Sequence, residues 1–196
     1  MHSTTLSFAN MHNHGELFAN ILRARRESFI VRNRWNLPEH MGMEFDQYDT
    51  PLSRWLAVHD DTGQVLAGVR LTPTTARCGI YSYMIRDAQR GLLDSIPANL
   101  LYEEAPVSDE VWEVTRGFVR DGIPAGLRSR VRLRLVLQML RTSREEGIRK
   151  MLALLPAHAA RLAPSCRLEI RAAGPKLNMG GINYQAFWLD FASQMH

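Results

Sequence analysis

The 196-residue chain is poor in cysteine and almost devoid of lysine. Cys78 and Cys166 are its only thiols. A domain of this length buries roughly 70% of the surface that its unfolded chain exposes, so a core needs neither disulfide nor structural metal. Two distant cysteines then read as reduced, cytoplasmic thiols rather than a secreted framework. No apolar run approaches the roughly 18 residues that cross a bilayer. The best candidate, Leu133–Leu140, holds Arg134 and Gln138. The first sixteen residues have neither the basic start nor the apolar stretch of a signal peptide. Residues 1–14, with His2, His12 and His14, are expected to be flexible. These absences exclude a membrane or exported protein as first expectation and leave one cytoplasmic domain over residues 1–196. No internal repeat or low-complexity tract divides the chain.

Chemical signatures are missing too. There is no Gly-x-Ser-x-Gly and no phosphate-cradling P-loop, and His40, His59, His158 and His196 show no metal spacing. The Arg/Gln-x-x-Gly-x-Gly/Ala signature by which ordinary acetyltransferases hold coenzyme A pyrophosphate is absent. Val119-Arg-Asp-Gly-Ile-Pro-Ala-Gly126 occupies the corresponding strand-to-helix junction, which argues for a different acyl donor.

What is present is arginine. Lys150 and Lys176 are the only lysines among 24 basic residues, and the formal net charge is +4. The charge is segregated: Glu39 to Asp61 carries six carboxylates against Arg54 alone, and Arg120 to Lys150 carries nine cations against three carboxylates. The first is an acidic pocket candidate; the second is a basic face suited to an anionic partner. A nucleic-acid reading of that face lacks a helix-turn-helix, zinc or aromatic-stacking pattern; a solvated face without a partner is the plain alternative.

Phe18, Ile21, Leu22, Arg25 and Phe29 recur at spacings of three and four, which predicts a helix from about Glu16 to Arg32 with Arg25 on its apolar side. Arg54–Val58 and Gln64–Leu71 flank Asp60-Asp61-Thr62-Gly63 and read as an antiparallel hairpin ended by Pro73. Trp112–Val119 reads as a strand, Leu127–Glu146 as an Arg-rich helix with Leu133, Val136, Leu137 and Leu140 inward, and Met151–Leu155 as a short buried strand. A short helix after Pro156 and a strand over Tyr184–Phe191 complete the reading. Helices mixed with a largely antiparallel sheet suggest an α/β protein, a single-domain α-β-α sandwich of the acetyltransferase type.

Three places stand out chemically. Glu44-Phe-Asp-Gln-Tyr-Asp49 concentrates three carboxylates, which calls for a neutralising cation: a metal, an arginine or a cationic ligand. The spacing lacks the glycine turn and distal glutamate of a calcium loop, and a solvated loop with capping carboxylates is the plain alternative. Arg25 on an apolar helix face and Arg70 amid a strand must snorkel or find partners; with the acidic cluster they imply a buried charged network. In Trp112-Glu-Val-Thr-Arg116, alternation puts Glu113, Thr115 and Gly117 on one face and Val114, Arg116 and Phe118 on the other. Glu113 there is a general base or one half of a structural ion pair.

Taken together, the chain resembles the acyl-homoserine-lactone synthases, the LuxI-type autoinducer synthases. The family pattern is matched by Arg25, Phe29 and Trp35, by Glu44 to Asp49, by Arg70-Leu-Thr-Pro-Thr74, and by Trp112, Glu113, Thr115 and Arg116. Thr115 replaces the usual serine, Gly117 stands where the family has Phe, and the Phe expected after the third motif is replaced by Met84 or Ile85.

The resemblance implies a fold like that of the GNAT acetyltransferases and a reaction that joins S-adenosylmethionine to an acyl group carried as a thioester on acyl carrier protein or coenzyme A. Methylthioadenosine leaves as the lactone closes, and no cofactor or metal is required. It further implies that Arg25, Phe29, Trp35, Asp46, Asp49 and Arg70 bind S-adenosylmethionine. Glu113 then takes the amine proton with Arg116 as partner and Glu44 in reserve. Met84, Ile85, Thr115, Leu152 and Leu154 line an acyl pocket, and Arg128, Arg132, Arg134 and Lys150 dock an acidic carrier protein. A monomer or weak dimer that binds neither nucleic acid nor membrane is expected. The rival readings are a GNAT-like N-acyltransferase acting on another amine with acyl coenzyme A, and a non-catalytic anion-binding module.

Overall fold

The computed structural model describes residues 1–162 and 169–190; Cys166, Phe191 and His196 lie outside them. In chain order its elements are strand β1 (His2–Leu6), helix α1 (Leu17–Arg26), strands β2 (Glu39–His40), β3 (Met43–Glu44), β4 (Arg54–His59) and β5 (Val65–Pro73), and helix α2 (Met84–Gln89). Strand β6 (Val111–Val119), helix α3 (Ala125–Glu146) and strands β7 (Lys150–Pro156), β8 (Glu169–Met179) and β9 (Ile182–Asp190) follow. These elements build two compact units, Met1–Leu71 with Arg116–Arg141, and Thr72–Thr115 with the chain from Thr142 onward.

In the first unit the alternation of β4 sorts two layers. Trp55 and Ala57 face α1, packing with Leu17, Ile21, Phe29 and Phe118. Val58 faces α3, packing with Ala67 and Val131. A helix on each face of a sheet is the expected sandwich, and full burial of each large apolar side chain contributes about 1.5–3 kcal/mol. The predicted hairpin is present with Trp55 opposite Arg70, and Asp60 ties its turn by accepting the amides of Thr62 and Gln64. Helix α1 runs on through a π-helical stretch, Glu27–Arg32. On β5, Gly68 admits the Phe118 ring, whose Cε1 would lie 2.9 Å from any added Cβ.

Two expectations about this unit fail. The amino terminus does not fray: β1 pairs antiparallel with β4, Leu6 is fully buried, and His2 bonds Asp61 at 2.6 Å. The inner face of α3 is also different. Leu133 and Leu137 are exposed, whereas Val131, Val136, Gln138, Met139, Thr142 and Ser143 are buried. The buried stripe is partly polar because Gln138 is matched to β1, accepting from Ser3 Oγ at 2.9 Å and donating to Thr5 Oγ1 at 2.8 Å.

In the second unit β6 and β7 pair in parallel, and β9 pairs antiparallel with β7 and β8. A parallel pair needs a crossover, which α3 supplies. Tyr83, Ile85 and Ala88 from the α2 region pack with Leu100, Leu152, Ala173 and Ala186. Strand β8 has no counterpart in the sequence reading, because Gly174 and Pro175 interrupt its pattern. Gly174 is required by a close approach: a Cβ there would meet the Leu100 carbonyl oxygen at 1.9 Å.

Candidate active site

The first unit brings Arg25, Glu44, Asp46, Asp49, Arg70 and Arg116 into one buried ionic cluster. Arg25 arrives from α1, with its guanidinium 1% exposed; Glu44 ends β3, and Arg70 projects from β5 opposite Trp55. Arg25 donates from Nε to Glu44 Oε2 at 2.5 Å and from Nη1 and Nη2 to the two Asp49 oxygens at 2.7 and 3.0 Å. Arg70 donates to the two Asp46 oxygens at 2.5 and 3.3 Å and lies 3.0 Å from Asp49 Oδ1. Arg116 donates to Glu44 Oε1 at 3.1 Å and reaches Asp46 Oδ2 at 2.7 Å. Three guanidinium groups thus meet three carboxylates, and their formal charges cancel.

Backbone and aromatic groups complete the cluster. Asp49 accepts the Asp46 amide at 2.9 Å and Asp46 accepts the Tyr48 amide at 2.9 Å, a tight turn encoded by the Asp-x-x-Asp spacing. Trp55 Nε1 donates to Asp49 at 2.8 Å, and the Arg70 guanidinium lies 5.8 Å from the Tyr48 ring centre. Arg116 lies 5.8 Å from the Phe29 ring centre, which stacks on Trp35 at 5.2 Å and 13°. Arg116 and Phe118 both face Phe29, as alternation predicted. Arg116 has φ 54°, a left-handed conformation that disfavours a residue with a side chain, and its two ion pairs offset that cost.

Burial alone would neutralise these acids. For Asp49 it is outweighed by Arg70 and Arg25, and for Asp46 by Arg70 and Arg116, so both carboxyls sit well below the usual range. Burial likewise opposes the charge on Arg70, but Asp46 and Asp49 raise its proton affinity above the ordinary value.

Sequence reading found five members of this cluster as binding or reserve residues, and the charged network it expected between Arg25, Arg70 and the acidic cluster is present. Asp46 and Asp49 each accept four or more donors between the arginines and backbone, and Arg25 and Arg70 brace them. Glu44, expected in reserve as a base, is fully buried and accepts from both Arg25 and Arg116. Arg116, expected beside Glu113, is engaged with Glu44 and Asp46. Trp55 and Tyr48 were missed as cluster members; the hairpin register that sets Trp55 opposite Arg70 is the signal that points to Trp55.

The remaining candidates lie in the second unit or on α3. Glu113 is fully buried on β6, its Oε1 accepting the Ile85 amide at 2.7 Å and its Oε2 the Met84 amide at 3.2 Å. Met84, Ile85, Leu152 and Leu154 come together in one apolar cluster, and Thr115 is buried on β6. Burial raises the Tyr83 phenol well above its ordinary value, with the Glu113 carboxylate the next cause, and its hydroxyl donates to the Pro106 carbonyl at 2.6 Å.

The predicted docking arginines are less accessible than expected. Arg128, Arg132 and Arg134 are half-buried, and Arg134 donates to the Met1 carbonyl. Lys150 is exposed, and the exposed arginines of α3 are Arg130, Arg141 and Arg144, on the side of Leu133 and Leu137. Among the described residues no group of three or more His, Cys, Asp or Glu is placed to hold a metal ion, and no helix is long and apolar enough to cross a membrane.

A mixed sheet flanked by helices, with a buried charged cluster beside stacked aromatics, defines an acyltransferase-type α/β protein. The fold is similar to a solved acyl-CoA N-acyltransferase from Pseudomonas aeruginosa, with a TM-score of 0.60 at 13% identity over 96% of this chain and 99% of that one. It is more similar to the acyl-homoserine lactone synthase BjaI, described as CoA-dependent and solved with SAM and isopentyl-CoA. That TM-score is 0.75 at 20% identity, over 97% of this chain and 83% of that one. In sequence, an acyl-homoserine-lactone synthase of Ralstonia solanacearum is 28% identical over 171 residues, 85% of this chain and 78% of that protein. The autoinducer synthase family model matches residues 9–191, and the chain belongs to that family. It is therefore an acyltransferase of the acyl-homoserine-lactone synthase group.

Proposed function

We propose that the protein acylates the amine of S-adenosylmethionine from an acyl thioester and then closes the lactone. The observation that carries this reading is the neutral cluster of Arg25, Arg70 and Arg116 with Glu44, Asp46 and Asp49, set against the stacked Phe29 and Trp35. S-adenosylmethionine carries a sulfonium, an ammonium and a carboxylate, so its pocket needs charge of both signs and aromatic faces together. Arg25 and Arg70 hold the aspartates rigidly charged, and Phe29 and Trp35 enclose the sulfonium and adenosine.

The first step needs the amine unprotonated. Its lone pair forms the N–C bond at the thioester carbonyl, the C–S bond breaks, and the carrier thiol leaves. In the second step a carboxylate oxygen of the same molecule attacks its γ-carbon, the C–S bond to the sulfonium breaks, and neutral methylthioadenosine departs. Holding the methionine chain curled for that closure is worth up to about 7–11 kcal/mol of barrier in favourable systems. Met84, Ile85, Thr115, Leu152 and Leu154 line the acyl pocket. The basic side of α3 fits an acidic carrier protein as donor.

The test is release of methylthioadenosine from S-adenosylmethionine with a panel of acyl groups on carrier protein and on coenzyme A. Release with the carrier that falls as salt is added supports the docking side of the reading. No release with any donor defeats it and favours an N-acyltransferase acting on another amine.

A further inference from the structure

We infer that Glu113 is a positioning residue that holds the Tyr83–Ile85 turn against β6, and that it is not the group that takes the substrate's proton. The inference rests on the proposed acylation of an amine. Both Glu113 oxygens accept backbone amides, Oε1 from Ile85 at 2.7 Å and Oε2 from Met84 at 3.2 Å, and the side chain is fully buried. A proton arriving on either oxygen weakens the bond that oxygen accepts, so proton uptake by Glu113 works against the seat of α2.

The local sequence explains why a distant carboxylate is needed. Tyr83 precedes α2 with extended backbone, φ −130° and ψ 156°, and supplies no side-chain cap for its first amides. Ser, Thr, Asp or Asn normally fills that place. Here Tyr83 instead sends its hydroxyl to the Pro106 carbonyl, and Glu113 serves the vacant amides from β6. What the turn positions is apolar: Ile85 is fully buried with Leu152, and Met84 and Leu154 pack against the same cluster. Glu113 therefore acts on the acyl wall through α2.

The chemistry does not demand an enzyme base of great strength. An ordinary α-amine has a pKa near ~7.7–8.0, so at pH 7 about one molecule in ten is already the free amine. Loss of the proton to water before attack costs about a factor of ten at that pH, whereas a general base accelerates typically 10²–10⁴-fold.

The discriminating variant is Glu113→Gln, which keeps an acceptor oxygen and cannot act as a base. Methylthioadenosine release is measured from pH 6 to 9 with an octanoyl thioester on the carrier that the wild type uses, alongside amide hydrogen exchange at Met84 and Ile85. The expected result is kcat within about tenfold of wild type, the same rising pH limb, a several-fold higher KM for the thioester, and faster exchange at both amides. A fall in kcat of about 10² or more, or unchanged exchange, overturns the inference.

A second variant guards against failure of the first to fold. Met84→Pro deletes one amide while its extended predecessor and first-turn position accept proline. It should raise the thioester KM above that of Met84→Ala, which keeps the amide; equal values overturn the inference. If the wild type releases no methylthioadenosine, the reading of the reaction fails, and the exchange measurement still decides whether Glu113 holds α2.

Discussion

Replacing Asp49 with Asn should destabilise the first unit more than any other change of similar size. The carboxylate accepts both Arg25 Nη groups, the Trp55 indole and the Asp46 amide, and lies 3.0 Å from Arg70 Nη1. Asn keeps the shape but removes the charge, leaving three guanidinium groups against Glu44 and Asp46, and it turns an NH₂ toward groups that already donate. Breaking a buried ion pair from one side costs about 3–5 kcal/mol, because an uncompensated charge stays behind. For a chain of this size each kcal/mol lowers Tm by about 2–4 °C, so the midpoint should fall by about 6–20 °C. Trp55→Phe is the control: it removes one hydrogen bond to a charged acceptor, about 1.5–3 kcal/mol, and leaves the ion pairs in place. Thermal melts by near-ultraviolet circular dichroism give the ranking, and the Trp55 indole resonance shows whether its bond to Asp49 is lost. An Asp49→Asn midpoint within 2 °C of wild type, or one above that of Trp55→Phe, would refute the view that this cluster holds the site together.

The lowered carboxyls of Asp46 and Asp49 make stability depend on pH in one direction. Their contribution is fully present above the ordinary aspartate value of about 3.9 and is lost as pH falls through the lower folded values. The Trp55 indole resonance should therefore hold steady from pH 7 to 5 and change only below about 4; a transition above pH 5 contradicts this. Gly174→Ala should displace the Leu100–Leu101 segment, since the added methyl would meet the Leu100 carbonyl at 1.9 Å. Faster hydrogen exchange at Tyr102, whose amide donates to the Ala173 carbonyl at 3.0 Å, is the readout, and unchanged exchange would show that the close approach is not rigid.

Much of the site was legible because its residues violate the pattern around them. Arg25 falls on the apolar stripe of α1 and Arg70 amid an apolar strand, and three carboxylates share six residues. Physics allows such positions only with partners, so a buried charged network follows from local sequence. The misreading of α3 has an equally local cause. Arginine and leucine alternate around that helix closely enough for two different stripes to look apolar, and the buried one is fixed by contacts with other elements, Gln138 with Ser3 and Thr5 and Val131 with Val58 and Ala67.

The amino-acid order by itself determined α1, the β4–β5 hairpin and β6, which carry Arg25, Arg70, Glu113 and Arg116, and the residue types that meet at the site, because those depend on spacing within one element. Strand β3, which carries Glu44, and helix α2 are too short to leave such a pattern. The tertiary structure alone decided which guanidinium meets which carboxylate, that Glu44 braces Arg25 and Arg116, and that Glu113 holds the start of α2. Such choices depend on distances between side chains up to 72 positions apart, and no periodicity within an element reports them.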